Sequence, residues 1–256
     1  MALVGPAALV TGAASGLGRA VVGWLRAAGW RTAGIDLSPA AGADFDAVAD
    51  ITDGDALAGA VAAAVEHLGG LDGAAACAGV NATSFALGHR LPRADWDRLL
   101  SVNLTGAFLT AQAVLPHLVS RRGALVIVSS VSAHHPLPGA GHYSAAKAGV
   151  VALTRSLALE YAAAGVRVNS VAPGYMDTPM SSPVLGRENL RRRIEDTIPL
   201  GRIAEPGDVA EVVGWLLTPG ARYLTGQDVT VDGGLGLSTY SSRALIDRLW
   251  AAEGER

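Results

Sequence analysis

The sequence is poor in cysteine and in charged residues, and both shortages limit what the protein can be. Cys77 is the only cysteine among 256 residues, which excludes an internal disulfide framework and suits a reducing compartment. Only 17% of the residues are charged and 50% are hydrophobic, so the composition predicts a globular chain with a large buried core. We expect a cytoplasmic protein.

The chain also lacks a basic stripe and a long apolar run. With 20 basic and 23 acidic residues the net charge is -3, so we expect no nucleic-acid partner. No Lys or Arg occurs before Arg19, and glycine and proline interrupt the apolar N-terminus, unlike a signal peptide. The longest uncharged stretch, Gly123–Ala146, contains three His and two Pro. We therefore predict that no segment spans a membrane.

What the sequence does contain is an alternation of short apolar or β-branched segments with longer helical patterns. This alternation is typical of βαβ units, in which a parallel sheet is covered by helices on both faces. The predicted strands are Ala7–Thr11, Arg31–Asp36, Ala47–Asp50, Leu71–Ala76, Ala124–Ser129, Val166–Val171 and Asp228–Val231. The predicted helices are Gly16–Ala28, Asp53–His67, Trp96–Leu118, Tyr143–Ala164 and Glu205–Leu217. We predict an α/β fold, a single-domain doubly wound parallel sheet over residues 1–256.

Two segments depart from the alternation. The first, Thr178–Pro206, is polar, contains four prolines and has no strand pattern, so we interpret it as a substrate loop or small helical lid. The second, residues 235–256, is a C-terminal extension ending in "RALIDRLWAAEGER", which predicts a short helix with a frayed end.

Three glycines follow the first predicted strand and open a helix, with the spacing GxxxGxG at Gly12, Gly16 and Gly18. At such a junction, glycines let backbone N–H groups approach a dinucleotide pyrophosphate. A flexible turn explains the glycines equally well when they are considered alone.

Asp36 ends the second predicted strand, 18 residues after Gly18. A carboxylate there accepts hydrogen bonds from the ribose hydroxyls of adenosine and repels a 2′-phosphate. Ser15 and Leu37 occupy neighbouring positions, where Arg or Lys would favour a phosphate. The alternative is that Asp36 only caps a turn. Together with the glycines, Asp36 favours NAD over NADP.

Tyr143 and Lys147 lie four residues apart at the start of a helical pattern, so both project from one face. An ammonium group beside a phenol stabilises the phenolate, and a tyrosine base near neutrality needs its pKa lowered from about 10. Such a pair is also common on helices that have no catalytic role. Ser130 follows a strand ending in "VIVSSVS", at the sheet edge where ligands bind, and its hydroxyl is placed to hold a substrate oxygen. Ser129 is interpreted as a strand-end hydrogen bonder.

The sequence resembles the classical short-chain dehydrogenase/reductase family over nearly its whole length, and the family implies a Rossmann fold. The matching motifs are "TGAASGLG" at Thr11–Gly18, "DI" at Asp50–Ile51, "VNLTGAF" at Val102–Phe108, Ser130, the Tyr143-x-x-x-Lys147 pair, "APGYMDTPM" at Ala172–Met180 and "YLTGQDVTVDGG" at Tyr223–Gly234. Where the family has Asn-Asn-Ala-Gly, this chain has Ala76-Cys77-Ala78-Gly79, which leaves open how the central sheet is braced.

The resemblance implies a role for each catalytic position. Tyr143 is the acid/base, Lys147 lowers its pKa and holds the nicotinamide ribose, Ser130 donates to the substrate oxygen, and Asn103 holds a water that connects Lys147 to solvent. The residues expected at the NAD cofactor are Gly12, Ser15, Gly16, Leu17, Gly18, Asp36, Leu37, Asp50, Ile51, Ala78, Gly79, Tyr143, Lys147, Pro173, Gly174, Met176 and Thr178. The resemblance also implies a homotetramer built on two paired helices.

Three other features have simpler interpretations. Cys77 is expected to be a small buried hydrophobe. His134, His135 and His142 have no carboxylate or cysteine at ligand spacing, so we expect no metal and interpret them as pocket lining or surface. The basic run 191–193 is interpreted as a solvated helix face, with the grip of an acidic substrate or a carrier phosphate as the alternative.

These observations predict an NAD-dependent oxidoreductase that interconverts a secondary alcohol and a ketone by hydride transfer, with a small-molecule alcohol or ketone as its partner. Two alternatives within the same chemistry are a 3-oxoacyl thioester reductase and a cyclic dihydrodiol dehydrogenase. An alternative of another class is a nucleotide-binding sensor without turnover.

Overall fold

In the computed structural model, which describes residues 5–237, seven parallel strands form one sheet. The strands are β1 Ala7–Thr11, β2 Arg31–Asp36, β3 Phe45–Val48, β4 Gly73–Ala76, β5 Ala124–Val128, β6 Arg167–Pro173 and β7 Asp228–Val231. Their order across the sheet is β3-β2-β1-β4-β5-β6-β7, and every neighbouring pair is parallel. The predicted doubly wound sheet is confirmed.

Helices cover both faces of this sheet. They are α1 Gly16–Ala27, α2 Gly54–Leu68, α3 Arg93–Leu100, α4 Gly106–Arg121, α5 Gly141–Tyr161, α6 Ser182–Leu185, α7 Glu188–Glu195 and α8 Pro206–Leu217. One core lies under α2, α4 and α5, and a second lies under α1 and α8. The central strands are buried on both faces, which is why they are continuous apolar runs in the sequence.

The third strand is displaced from its predicted position, Ala47–Asp50. It begins at Phe45 because its pairing with β2 sets Ala33 opposite Phe45. Asp50 therefore lies in the turn after the strand, where its Oδ1 accepts hydrogen bonds at 2.8 Å from both the backbone N and the hydroxyl of Thr52.

The predicted helix Trp96–Leu118 is longer and is interrupted. It begins at Arg93 as α3, passes through a π-helical turn at Ser101–Thr105 and continues as α4. By length, and by the mean hydropathy of 1.4 in its most apolar 18 residues, the segment Arg93–Arg121 meets the criteria for a membrane span. Of that window, 44% is buried inside the fold. A helix that packs in the core of a soluble protein meets the same criteria.

The polar segment predicted as a substrate loop contains the short helices α6 and α7 and a small core of its own. Its two ends meet at a bridge between Met176 and Ala204. Ala204 N donates to Tyr175 O at 3.1 Å, and Asp177 N donates to Ala204 O at 2.9 Å. The segment is therefore closed at its base. The helix predicted near the C-terminus lies mostly beyond residue 237, outside the described residues.

Candidate active site

The glycine loop lies where the strand order reverses, between the carboxyl ends of β1 and β4. Gly12 and Gly16 have φ of 69° and 50°, in the left-handed region that favours glycine. A Cβ on Gly12 would lie 2.8 Å from Ala78 Cα, and one on Gly18 only 2.0 Å from Gly12 O. Close backbone approach requires glycine at positions 12 and 18, and the positive φ favours it at position 16. The loop leaves a cradle at the N-terminus of α1 that fits a pyrophosphate.

Asp36 lies beside this loop at the end of β2. Its Oδ2 accepts a hydrogen bond from Ala14 N at 3.0 Å, and its Oδ1 makes only a long contact of 3.4 Å with Ser38 N. The carboxylate therefore fixes the glycine loop and keeps one oxygen for a ligand. Leu37, which follows it, is 70% exposed, and Ser15 is exposed at the start of α1. Neither side chain supplies a cation for a 2′-phosphate.

Asp50 and Ile51, expected at the adenine, have their side chains engaged within the protein. The Asp50 carboxylate holds Thr52, and Ile51 is buried against the start of α4, where a Cβ on Gly106 would lie 2.5 Å from Ile51 Cδ1. Their contact with adenine stays a prediction.

The Asn103 amide braces the segment after β4. It is buried in the π-helical turn, its Oδ1 accepts from Val80 N and its Nδ2 donates to Val80 O, both at 2.8 Å. A Cβ on Gly79 would lie 3.0 Å from Asn103 Oδ1 and 3.8 Å from Lys147 Nζ, so Gly79 keeps both groups close. This reciprocal pair fixes the backbone beside the sequence Ala76-Cys77-Ala78-Gly79, which lacks the family's amides. The water-holding role of Asn103 stays a prediction.

Lys147 reaches the carboxyl end of β5 from the first turns of α5. Its Nζ donates to Val128 O at 2.8 Å and lies 5.9 Å from the centre of the Tyr143 ring. Burial lowers the pKa of Lys147 to about 8, and the nearby Cys77 thiol opposes that change. Burial also raises the pKa of Cys77 to about 12, as expected for an unreactive thiol.

Tyr143 is near both Lys147 and Ser130. Burial raises the pKa of Tyr143, and a hydrogen bond with Ser130 lowers it. Ser130 caps the 3₁₀ turn Val131–Ala133, and its Oγ accepts from Ser132 N at 3.1 Å, which leaves its hydroxyl hydrogen to donate. In the structure the hydrogen bond with Ser130 favours the phenolate. The assignment of the same effect to Lys147 stays a prediction.

The remaining predicted cofactor residues lie at the end of β6 and at the base of the substrate loop, close to the glycine loop. Pro173 ends β6, and Gly174 N donates to Val231 O at 3.0 Å. A Cβ on Gly16 would lie 3.5 Å from Thr178 Cγ2, which shows how near the two loops lie. Met176 forms the bridge that closes the substrate loop.

Asp228 is a residue of this region that the sequence did not single out. Its carboxylate contacts Ser129 and His134, on either side of Ser130. Asp228 lies 99 residues after Ser129 and 94 after His134, so spacing gives no signal of the cluster. Within residues 5–237, no three His, Cys, Asp or Glu side chains are grouped as metal ligands.

Arg191, in the substrate loop, is ion-paired and not simply solvated. Its guanidinium contacts Asp177 at 2.7 Å and Glu195 at 3.1 Å, so it ties α7 to the base of the loop. Arg192 pairs with Glu188 on the exposed face of the same helix. Arg192 fits the predicted solvated face, and Arg191 has a local structural partner.

Comparisons with known proteins agree with this geometry. A family model described as enoyl-(acyl carrier protein) reductase matches residues 12–236. A 3-oxoacyl-[acyl-carrier-protein] reductase of Thermotoga maritima is 36% identical over 248 residues, which cover 92% of this chain and 99% of that protein. A cis-4-hydroxycyclohexanecarboxylate dehydrogenase of Sinomonas cyclohexanicum is 39% identical over 241 residues, 89% of this chain and 95% of that protein.

The crystal structure of a levodione reductase superposes with a TM-score of 0.86 at 32% identity, covering 92% of this chain and 98% of that one. The matches span the glycine loop, the Ser130, Tyr143 and Lys147 cluster and the last strand. The chain belongs to the short-chain dehydrogenase/reductase family and is an NAD(P)-dependent oxidoreductase that interconverts alcohols and ketones.

Proposed function

We propose that the protein is an NAD-dependent secondary alcohol dehydrogenase or ketone reductase in which Tyr143 is the acid/base. The observation that carries this proposal is the convergence of Ser130, Tyr143 and Lys147 at the carboxyl edge of the sheet, beside the glycine cradle. A pure nucleotide binder has no physical need for that cluster. NADH binding without turnover of any alcohol or ketone would favour the sensor alternative.

Each side chain has a distinct part in the reaction. When bound, the nicotinamide exchanges a hydride with the substrate carbon. When substrate binds, Ser130 turns its hydroxyl hydrogen from the phenol to the substrate oxygen and holds that oxygen near the phenol. Tyr143 gives a proton to that oxygen in ketone reduction and removes it in alcohol oxidation. The Lys147 ammonium, held by Val128 O, stabilises the phenolate that remains after reduction.

Asp36 supports NAD as the cofactor. Asp36→Asn keeps the size of the side chain and an acceptor for Ala14 N but removes the negative charge. We expect kcat/KM with NAD to fall about 10-fold to 100-fold, because charge-assisted hydrogen bonds to the ribose are weakened, while activity with NADP falls less or rises.

Asp46→Asn is the matched control, since Asp46 is exposed on the neighbouring strand β3. It should leave both cofactors unaffected. A wild-type preference for NADP, or an Asp36→Asn variant with an unchanged cofactor ratio, would contradict the assignment of NAD.

The substrate class is open between two candidates. The name of the Thermotoga maritima relative favours a 3-oxoacyl thioester, whereas the name of the Sinomonas cyclohexanicum relative favours an alicyclic alcohol. We favour the alicyclic alcohol, a class that includes the cyclic dihydrodiols. Exposed apolar side chains occur on all three segments that follow β4, β5 and β6 at the site edge, and they include Phe85, Leu137 and Met180.

One screen separates these candidates. Rates of oxidation are measured with NAD and NADP for alicyclic alcohols and diols, open-chain secondary alcohols, sugars and steroids. Rates of reduction are measured with NADH and NADPH for 3-oxoacyl thioesters. Highest kcat/KM on a ring alcohol with NAD supports the proposal. Highest kcat/KM on a thioester with NADPH establishes the reductase alternative and contradicts the Asp36 argument.

We also propose a cytoplasmic homotetramer. The single cysteine suits a reducing compartment. The helices α4 and α5 carry exposed apolar side chains, Phe108 and Val119 on α4 and the 82% exposed Leu159 on α5, which suit burial between subunits. Light scattering should give a mass of about four times the 26.0 kDa chain. A mass of one chain at micromolar concentration would contradict the tetramer.

A further inference from the structure

We propose that Asp228 is a positioning residue for catalysis, because its carboxylate holds both sides of the turn that carries Ser130. The inference rests on the proposed function of Ser130 as the donor to the substrate oxygen. It assigns a role in the reaction to Asp228 and His134, which lie on different segments and do not themselves touch the reacting atoms.

The Asp228 carboxylate is almost fully buried, with a side chain only 4% exposed, at the first residue of β7. Its Oδ1 accepts hydrogen bonds from the hydroxyls of Ser129 and Ser170, each at 2.6 Å. Its Oδ2 accepts from His134 Nε2 at 2.7 Å. The buried carboxylate therefore accepts hydrogen bonds from three donors, which meets its need for partners. Hydrogen bonds to a charged acceptor are short and about twice as strong as those between neutral groups.

Two of these donors flank Ser130 in the chain. Ser129 precedes it, and His134 follows the 3₁₀ turn Val131–Ala133 that Ser130 caps. Within the turn, Ala133 N donates to Ser130 O at 2.9 Å and His134 N donates to Val131 O at 3.0 Å. The carboxylate thus links the residue before the turn, Ser129, and the residue after it, His134, to β7. These links fix the position of the Ser130 hydroxyl.

The third donor, Ser170, separates this role from plain support of the sheet. Ser170 lies on β6 directly opposite Asp228, and its hydroxyl holds β7 against β6 without touching the turn. If Asp228 only stabilised the edge of the sheet, loss of the Ser170 bond would matter as much as loss of the other two. If Asp228 positions Ser130, the bonds from Ser129 and His134 matter to the reaction and the bond from Ser170 does not.

The experiment compares Asp228→Asn, His134→Ala and Ser129→Ala with the matched control Ser170→Ala. We expect the first three to lower kcat about 10-fold to 100-fold, because a small misplacement of a donor weakens transition-state contacts strongly. The Kd for NADH, measured by fluorescence, should stay within about twofold in all four variants, and Ser170→Ala should keep kcat within about threefold. His134 is partly exposed, so His134→Ala tests the proposal even where Asp228→Asn fails to fold.

Two readouts distinguish positioning from structural support. In a Ser130→Ala background, His134→Ala and Asp228→Asn should lower kcat no further, since the group they position is gone. With Ser130 present, His134→Ala and Asp228→Asn should move the midpoint of kcat/KM for alcohol oxidation to higher pH, since kcat/KM reports the free enzyme. There the Ser130 hydrogen bond lowers the pKa of Tyr143, and weakening that bond raises it.

Equal losses with and without Ser130, an unmoved pH midpoint, or a Ser170→Ala variant as impaired as His134→Ala would each overturn the proposal. Failure of the proposed function has a different signature: Ser130→Ala and Tyr143→Phe would themselves keep the wild-type rate. In that case Ser130 has no catalytic role, so Asp228 has no catalytic group to position. If those two variants lose activity and the Asp228 and His134 variants do not, only the positioning role is wrong.

Discussion

Replacing Tyr143 with Phe should lower kcat for alcohol oxidation at least about a hundredfold, while NADH binding changes little. The substitution removes only the hydroxyl that exchanges a proton with the substrate oxygen, and general acid–base catalysis contributes about 10²-fold to 10⁴-fold. The ring that packs beside Ala82 and Leu99 remains, so the fold is preserved. Steady-state rates and fluorescence titration of NADH measure the two quantities separately.

Tyr161→Phe is the matched control, because Tyr161 ends the same helix, about 27 Å from Tyr143 along the axis at 1.5 Å per residue. It makes the same chemical change away from the sheet edge and should keep the wild-type rate. If Tyr143→Phe retained more than about a hundredth of the wild-type kcat, the acid/base role would belong to another group.

Gly18→Ala should weaken NADH binding at least tenfold and lower the free energy of unfolding by about 1–3 kcal/mol, the usual cost of overpacking. The added Cβ would lie 2.0 Å from Gly12 O, so the loop and the start of α1 have to separate. That movement opens the cradle whose N–H groups face the pyrophosphate. NADH titration and thermal unfolding without cofactor test both parts.

Gly23→Ala provides the comparison within the same helix. A Cβ at Gly23 meets no atom within 4 Å, so the substitution should leave NADH binding unchanged and stabilise the protein by about 0.4–1 kcal/mol. Equal NADH affinity in the two variants would show that the glycine loop does not bind the cofactor.

The sheet could be predicted from the sequence because its central strands are buried on both faces. Such strands are apolar runs between turns, so β1 and β2 begin and end at the predicted residues. The bounds of β7, an edge strand that is only partly buried, were also predicted, from its β-branched residues. The third strand lies at the edge, where only β2 sets its register, and its bounds were wrong by two residues. The π-helical turn around Asn103 leaves no periodic signal in the sequence.

The candidate site was predictable only where its residues belong to a local motif. Tyr143 and Lys147 are one turn apart on a helix, and the glycines lie in one loop, so spacing alone brings them together. Asp228 and His134 are 94 residues apart in the chain. They meet because β6 pairs with both β5 and β7, which brings the start of β7 close to the segment that follows β5. Arg191 likewise finds Asp177 through the folding of the substrate loop. Contacts of this kind depend on tertiary structure and leave no pattern in the chain.

The bridge between Met176 and Ala204 makes the segment between them an exchangeable cassette. Because its ends already meet, lengthening or replacing the interior costs little entropy, about 0.6 kcal/mol for each doubling of a flexible loop. Residues 177–203 take no part in the pairing of the seven strands. We therefore expect that exchanging residues 179–203 alone can change the substrate, while the proton-transfer residues, the glycine loop and Thr178, which lies beside Gly16, are inherited unchanged.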